Sequence, residues 1–236
     1  LLAKMHQERR VSQDSFVQTS EEAIGAKIVI YQAAVDWVLE KQREEENIRL
    51  AGLETKDLRR ILQEAALCVV QNGGETASLK SLQFRFLDPD SRINKFFKQA
   101  QGETGLKDDR LLNNLLTAFW IRPSEQDRAG SVEFLHKSFG EFLFAEQLKQ
   151  SMVQWVKKAD EDEDQEYRVS RKTFNQQIYD LLGYGGLTVE IMEYWSGLVL
   201  TDPPSLDLVL LFKRLNQFYD RWCQGEFIDM APGENL

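Results

Sequence analysis

The sequence predicts a mainly α-helical protein in which a winged-helix domain with a small β-hairpin is flanked by helical-bundle domains. Three observations predict this fold class. Apolar residues recur every three or four positions through most of the chain. The pattern changes to β-prone and alternating residues only near 114–136, which indicates a hairpin. Gly-Gly, Pro-Pro and one acidic run separate the segments.

The first helix is predicted over residues 20–43, where Ser20 followed by two glutamates is a suitable helix start. Its apolar positions follow helical spacing: Ile24, Ile28, Tyr31, Val35, Val38 and Leu39. The polar run "EKQREEEN" that follows indicates a solvated helix end and a linker. We therefore place a domain boundary near residue 45.

Three more helices and a hairpin are predicted between residues 46 and 150. Thr55 is expected to cap the helix "TKDLRRILQEAALCVVQ", which Gly73 and Gly74 then end. "SLKSLQFRFL" is a short segment, and "DSRINKFFKQAQG" is a third helix of this group. "NLLTAFWIRP" and "SVEFLH" are strands around the turn "SEQDRAG", with Val132, Phe134 and His136 alternating against their neighbours.

Ser138 is expected to open the next helix, "SFGEFLFAEQLKQSMVQWVKK". Three helices followed by a two-stranded wing is the winged-helix arrangement, which we place at 46–150. The acidic run "ADEDEDQE" at 159–166 indicates a solvated loop. Further helices are predicted around 170–183, 187–199 and 204–223, and together with this loop they form a second helical domain at 151–236.

Composition and charge limit the function classes. The 236 residues carry a net charge of −9, which argues against general binding to nucleic acid or to an anionic membrane. No apolar run approaches the roughly 18 residues that a membrane span needs, and no signal peptide is visible. We expect a cytoplasmic setting in which Cys68 and Cys223 stay reduced.

The sequence offers no catalytic constellation, and we expect no catalytic residue and no metal ligand. "GETGLK" at 102–107 contains glycines and a lysine but lacks the spacing of a phosphate-binding loop. The two histidines, His6 and His136, are far apart, and the two cysteines likewise, so no cluster has metal-ligand spacing. We therefore expect that the chain is not an enzyme.

Two readings of the winged helix stay open at this point. A DNA-binding regulator would use the modestly basic helix before the wing, which carries Arg92, Lys95 and Lys98. A protein-interaction scaffold would bind no ligand and would keep His136 buried. His136 lies where a strand-like run meets a helical one, so its imidazole either packs, caps the helix or contacts a ligand.

Three phrases resemble one known family. "FLHKSFGEFLFAEQL" is similar to the "FLHxSFxEFxAA" phrase that ends the winged-helix domain of NACHT-type STAND signalling ATPases, which include the NOD-like receptors and many bacterial proteins. "AKIVIYQAAVDWVLEKQ" resembles the end of that family's first helical domain, here residues 1–45. "GLETKDLRRILQEAALCV" resembles the helix that opens the winged-helix domain. We expect a bacterial member of the family.

The resemblance implies a regulatory function. In this family the phosphate-binding loop lies N-terminal to the part that this chain resembles. Because the sequence also opens inside a helix-like phrase, "LLAKMHQERR", we expect it to be a piece of a longer polypeptide. The histidine of the "FLH" phrase, here His136, is implied to contact the β-phosphate of ADP held by that upstream P-loop domain. In the intact protein, ADP or ATP with Mg would be the cofactor.

The implied partners are the upstream P-loop NTPase domain and a downstream sensor, expected to be a repeat array, with an oligomer expected on activation and no nucleic acid or membrane partner. Two positions depart from the family pattern. Gly140 stands where glutamine is common, and Phe144 stands where a small alanine is common. We expect the helix after His136 to pack differently for that reason.

Overall fold

The computed structural model describes residues 20–44, 54–88, 92–104, 121–123, 130–134, 136–159, 166–183, 187–201 and 206–226. Over these residues the protein is mainly helical and contains a small antiparallel sheet, as the sequence predicts. Several predictions lie outside the described residues: the strand before Ile121, most of the acidic run, "GLK" of "GETGLK", and the linker near residue 45.

The described elements follow one another in this order: α1 Ser20–Glu44, α2 Thr55–Gln71, β1 Ala77–Ser78, α3 Leu79–Leu87, α4 Arg92–Thr104, β2 Ile121–Pro123, β3 Ser131–Phe134, α5 Lys137–Val156, α6 Arg171–Leu182, α7 Val189–Thr201 and α8 Leu208–Cys223. Each helix predicted from apolar spacing is present. The short segment "SLKSLQFRFL" is helical as well, and Ser78 caps it by accepting a hydrogen bond from the Ser81 N–H.

The predicted hairpin is confirmed, and it belongs to a sheet of three short strands. β2 pairs antiparallel with β3, with Ile121 opposite Phe134 and Pro123 opposite Val132. The two-residue strand β1 pairs with the other edge of β3, which gives the strand order β1-β3-β2. The sequence does not predict β1, because a strand of two residues is defined only by its distant partner.

Two predicted helix starts are wrong by one residue. Glu54, not Thr55, is the cap of α2: its carboxylate and that of Asp57 form a reciprocal capping box. Helix α5 begins at Lys137, one residue before Ser138. The end of α2 follows the prediction, because Gly73 and Gly74 adopt positive φ and the Gly74 N–H returns to the carbonyl oxygen of Val69.

Helix α5 is the centre of the fold. It packs against α2 and α7 most extensively and also contacts α6, α8 and β3. All nine residues from Gly140 to Leu148 are buried, so this part of the helix faces protein on every side. Phe144, which replaces the small residue of the family pattern, is fully buried in this core.

An ion pair inside the helix packing joins three helices. Arg59 of α2 donates two hydrogen bonds of 2.7 Å to the two carboxylate oxygens of Glu146 on α5. Its third nitrogen donates to Asp36 of α1 at 2.6 Å. Gln63, one turn along α2, donates to the same Glu146 carboxylate at 2.7 Å. The bidentate geometry fixes both the separation and the register of α2 and α5.

A second polar group continues along the same helix pair. Gln147 of α5 and Arg85 of α3 both donate to the Glu64 carboxylate of α2, at 2.8 and 2.7 Å. Arg85 also approaches Asp180 of α6 at 3.8 Å. Burial raises the pKa of Asp180. The consecutive residues 146 and 147 thus tie α5 to α1, α2, α3 and α6.

We expect Glu146→Leu to lower the free energy of unfolding by about 3 kcal/mol. That is the lower end for breaking a buried ion pair, because Arg59 keeps Asp36 as a partner. Asp36→Ala, whose side chain is 49% exposed, should cost no more than about 1 kcal/mol. Urea denaturation of both variants measures the difference, and equal losses would contradict the central position assigned to Glu146.

The two cysteines should differ sharply in reactivity. Cys68 and Cys223 are both free thiols, and Cys68 is buried whereas Cys223 is exposed. Burial raises the pKa of the Cys68 thiol to about 12, and only the thiolate is nucleophilic. Iodoacetamide at pH 8 should therefore alkylate Cys223 alone in the native protein and both cysteines in urea, as read by mass spectrometry. Equal labelling in native buffer would contradict the burial of Cys68.

Candidate functional site

His136 lies between β3 and α5 and occupies the N-cap position of the helix. Its backbone is extended, with φ −130° and ψ 115°, and its carbonyl oxygen accepts a 3.0 Å hydrogen bond from the Phe139 N–H. The preceding strand is paired on both edges, and the following helix is buried. The backbone at His136 is therefore held on both sides, although the residue stands in a junction.

The imidazole of His136 is exposed, unlike the side chains with which the alternating pattern groups it. That pattern groups His136 with Val132 and Phe134, which are both buried. The strand ends at Phe134, however, so the alternation does not extend to residue 136. His136 occupies the N-cap position, but its side chain makes no cap hydrogen bond, so the helix-capping interpretation holds for the backbone alone. The scaffold interpretation expects a buried imidazole, whereas the structure has an exposed one.

Four aromatic rings from three helices lie beside the junction, and we call them the ring cluster: Tyr31 of α1, Phe139 and Phe142 of α5, and Tyr194 of α7. Tyr31 is central, with its centroid 5.3 Å from that of Phe139, 5.5 Å from that of Phe142 and 5.0 Å from that of Tyr194. The His136 ring lies 6.2 Å from that of Phe139. Such separations are typical of stabilising aromatic pairs.

Gly140 explains the first departure from the family phrase. A Cβ on this residue would lie 2.8 Å from Cδ2 of Phe134, so the Phe134 ring occupies the space that a side chain would need. Phe134 is itself buried at the end of β3. The glycine therefore lets the last strand residue before the junction pack directly on the first turn of α5.

Lys137 and the helix N-terminus lie beside His136 at the start of α5. Lys137 is 55% exposed at its side chain and lies 3.8 Å from the buried carboxylate of Glu141. Thr188 donates to the same carboxylate at 3.4 Å. The N-terminus of a helix carries a partial positive charge of about half an elementary unit. An exposed imidazole, a lysine and this helix end together can donate hydrogen bonds to an anion.

A groove elsewhere in the protein contains an arginine that the sequence does not single out. The groove, of about 470 Å³, lies between residues 166–171 and α8. The Arg214 guanidinium lies 4.2 Å from the ring centroids of both Tyr167 and Phe174. It donates to the carbonyl oxygens of Trp155 and of Val169, and burial lowers its pKa. These contacts give Arg214 a structural role that ties α8 to α5 and α6.

The other sequence-derived candidates are placed as follows. Lys95 and Lys98 of α4 are exposed, as the DNA-binding reading requires, whereas the Arg92 side chain lies outside the description. Gly102 is helical within α4. An antiparallel bridge joins Lys158 and Tyr167, the two residues that flank the acidic run. No group of three or more His, Cys, Asp and Glu residues within the described ranges is arranged to hold a metal ion.

Comparisons with models of protein families, with curated proteins and with solved structures find no match to this chain. The family resemblance therefore stays a prediction that depends on the phrases of the sequence itself. Among the helices that the structure describes, none combines the length and the apolar character needed to cross a membrane.

We expect His136→Ala to leave stability nearly unchanged, within about 0.5 kcal/mol, because the side chain is exposed and forms no cap hydrogen bond. Phe142→Ala, which empties a fully buried position of the ring cluster, should cost about 3–5 kcal/mol. Thermal and urea unfolding measure both. A loss above 1 kcal/mol for His136→Ala would mean that the imidazole supports the fold.

Proposed function

We propose that the chain is a non-catalytic regulatory segment of a NACHT-type STAND NTPase. It couples the ADP or ATP state of an upstream P-loop domain to a downstream sensor, and His136 contacts the β-phosphate of ADP in the intact protein. The observation that carries this proposal is the exposed imidazole of His136 at the N-terminus of α5, with no side-chain cap bond competing for it.

The order of the elements supports a winged-helix interpretation of residues 46–150. α2, β1, α3, α4, β2 and β3 follow one another as helix, strand, helix, helix, strand, strand, and β3 lies between the other two strands. Residues 1–45 and 151–236 are then the end of a first helical domain and a second helical domain. A fold of this kind has many functions, so the function is argued from the site.

The chemistry of the junction fits a phosphate contact. The nucleotide, bound with Mg by the upstream domain, would supply a β-phosphate oxygen as acceptor. His136 would donate to it through a ring N–H, and hydrogen bonds to a charged acceptor are the stronger ones. Lys137 and the N-terminus of α5 add positive charge nearby. The segment hydrolyses nothing itself, because it contributes a donor rather than a phosphate-binding loop.

The position of the junction fits a role in coupling. Helix α5 begins directly after His136 and packs against α2, α6, α7 and α8. A contact made at its first turn is therefore connected to the second helical region by helix packing and to α1 by the ring contact between Phe139 and Tyr31. Loss of the phosphate contact would favour an open arrangement over a closed one, as in other two-state proteins. A cytoplasmic setting and oligomer formation on activation belong to this proposal.

The test compares ADP release from the chain joined to its upstream P-loop region. A hydrogen bond to a charged group contributes about 1.5–3 kcal/mol, so His136→Ala should speed ADP release about 10- to 100-fold. Gln150→Ala, an exposed position on the same helix, is the matched control and should release ADP at the wild-type rate. Fluorescent ADP in a chase experiment measures both.

Unchanged release from His136→Ala would overturn the phosphate contact and the proposed function with it. The DNA-binding alternative, favoured only by exposed Lys95 and Lys98, requires salt-sensitive binding to a labelled duplex. At a net charge of −9, we expect no such binding.

A further inference from the structure

We propose that Tyr31 of α1 is a positioning residue for His136, acting through the ring of Phe139. The position of α1 on the rest of the protein then determines the orientation of the imidazole. The inference concerns the orientation of a side chain in this chain, and only its consequence for ADP depends on the proposed function.

The path from Tyr31 to His136 contains a single intervening ring. Phe139 follows His136 by three residues, which places both on the first turn of α5. The His136 and Phe139 rings are 6.2 Å apart at 42°. Tyr31 meets Phe139 from the opposite helix, edge to face, at 5.3 Å and 63°. Removing the Tyr31 ring would leave space into which Phe139 could turn away from the imidazole.

Tyr31 is itself held by contacts that do not involve the junction. It stacks on Phe142 with 30° between the ring planes, and it meets the edge of Tyr194. Burial, together with a hydrogen bond from the Tyr194 hydroxyl to Tyr31, raises the pKa of Tyr194. Because Phe142 and Tyr194 are fully buried, the Tyr31 ring is fixed against the core.

The contacts of α1 with α7 set the position of Tyr31 along the α7 axis. A Cβ on Gly197 of α7 would lie 2.7 Å from Ile24 Cγ2 and from Ile28 Cγ1, so the two helices touch most closely one to two turns before Tyr31. Between those isoleucines, Lys27 binds Glu193 at 3.1 Å and lies 4.4 Å from the Tyr194 ring centroid. A shift of α1 along α7 would therefore move Tyr31 with it.

A neighbouring ring is needed to restrict the rotamers of His136, because its side chain makes no cap hydrogen bond. An exposed side chain divides its population among about three staggered rotamers. When only one of them is competent to bind, the apparent affinity falls by the competent fraction, here about threefold. The ring of Phe139, held by Tyr31, restricts the choice of rotamer. Loss of this restriction should therefore change the apparent affinity by about threefold.

The direct test observes the imidazole in the chain by itself. Only two histidines are present, His6 and His136, so the ring signals in a histidine-labelled sample are easily assigned with a His6→Gln variant. Tyr31→Leu should lower the order parameter of the His136 ring and move its signals toward those of free histidine. Tyr31→Phe should preserve both, and so should Val29→Ala on the exposed side of α1.

Phe139→Leu provides a second route if Tyr31→Leu fails to fold. It removes the intervening ring from a half-buried position and should lower the same order parameter. An unchanged order parameter in either folded variant would overturn the inference, whatever the outcome of the ADP experiment. Loss of order in Tyr31→Phe as well would also overturn it, because the positioning would then belong to the hydroxyl.

The consequence for ADP is tested in the chain joined to its upstream P-loop region. Tyr31→Leu should speed ADP release about threefold, and Tyr31→Phe should not. In His136→Ala the Tyr31→Leu change should add nothing, because Tyr31 acts through the imidazole. Effects that multiply in the double variant would show that Tyr31 acts independently. If His136→Ala alone has no effect, the proposed function fails, and the ring measurements still decide the positioning.

Discussion

Glu146 accepts hydrogen bonds from two nitrogens of Arg59 inside the protein, and the arrangement of the surrounding helices depends on that pair. Two parallel bonds of 2.7 Å allow one separation and one register between α2 and α5. Apolar packing is not directional, so it defines the register of two helices less sharply than this pair does. The third nitrogen of Arg59, bound to Asp36, extends the same constraint to α1. A hydrophobic replacement of the whole group can match it in stability, and we infer that this group specifies alignment more than it adds stability.

The alignment matters because the candidate site and the buried pair lie on one helix. Glu146 is ten residues after His136, which is about 15 Å along α5. The beginning of that helix faces the ring cluster, and its middle faces α2. On α1, Tyr31 packs on the rings of α5, and Asp36, five residues later, is joined to Glu146 of α5 through Arg59 of α2. Two separated contacts fix the orientation of one helix on another, which a single contact does not.

The sequence predicts local features well and distant pairings poorly. Apolar spacing locates the helices, and the Gly-Gly end of α2 follows from backbone conformation alone. Helix α8 begins at Leu208 rather than near 204, because the side chain of Asp207 accepts the N–H of Leu210 and starts the helix there. The Arg59–Glu146 pair joins residues 87 positions apart, and no local pattern marks it. The phrase "FLHKSFGEFLFAEQL" predicts His136 as the candidate site residue. Its exposure, however, depends on where β3 ends, and strand pairing decides that end.

The contact between Phe134 and Gly140 joins the end of β3 to the first turn of α5. The ring at 134 and any side chain at 140 would share one volume, since a Cβ at 140 would lie 2.8 Å from the ring. In this chain, a larger residue at 140 would require the ring at 134 to move or to be replaced by a smaller side chain. Phe134 is two residues before His136, so such a change would act on the strand end next to the candidate site. Position 140 can therefore accept a larger side chain only if the packing at the end of β3 changes with it.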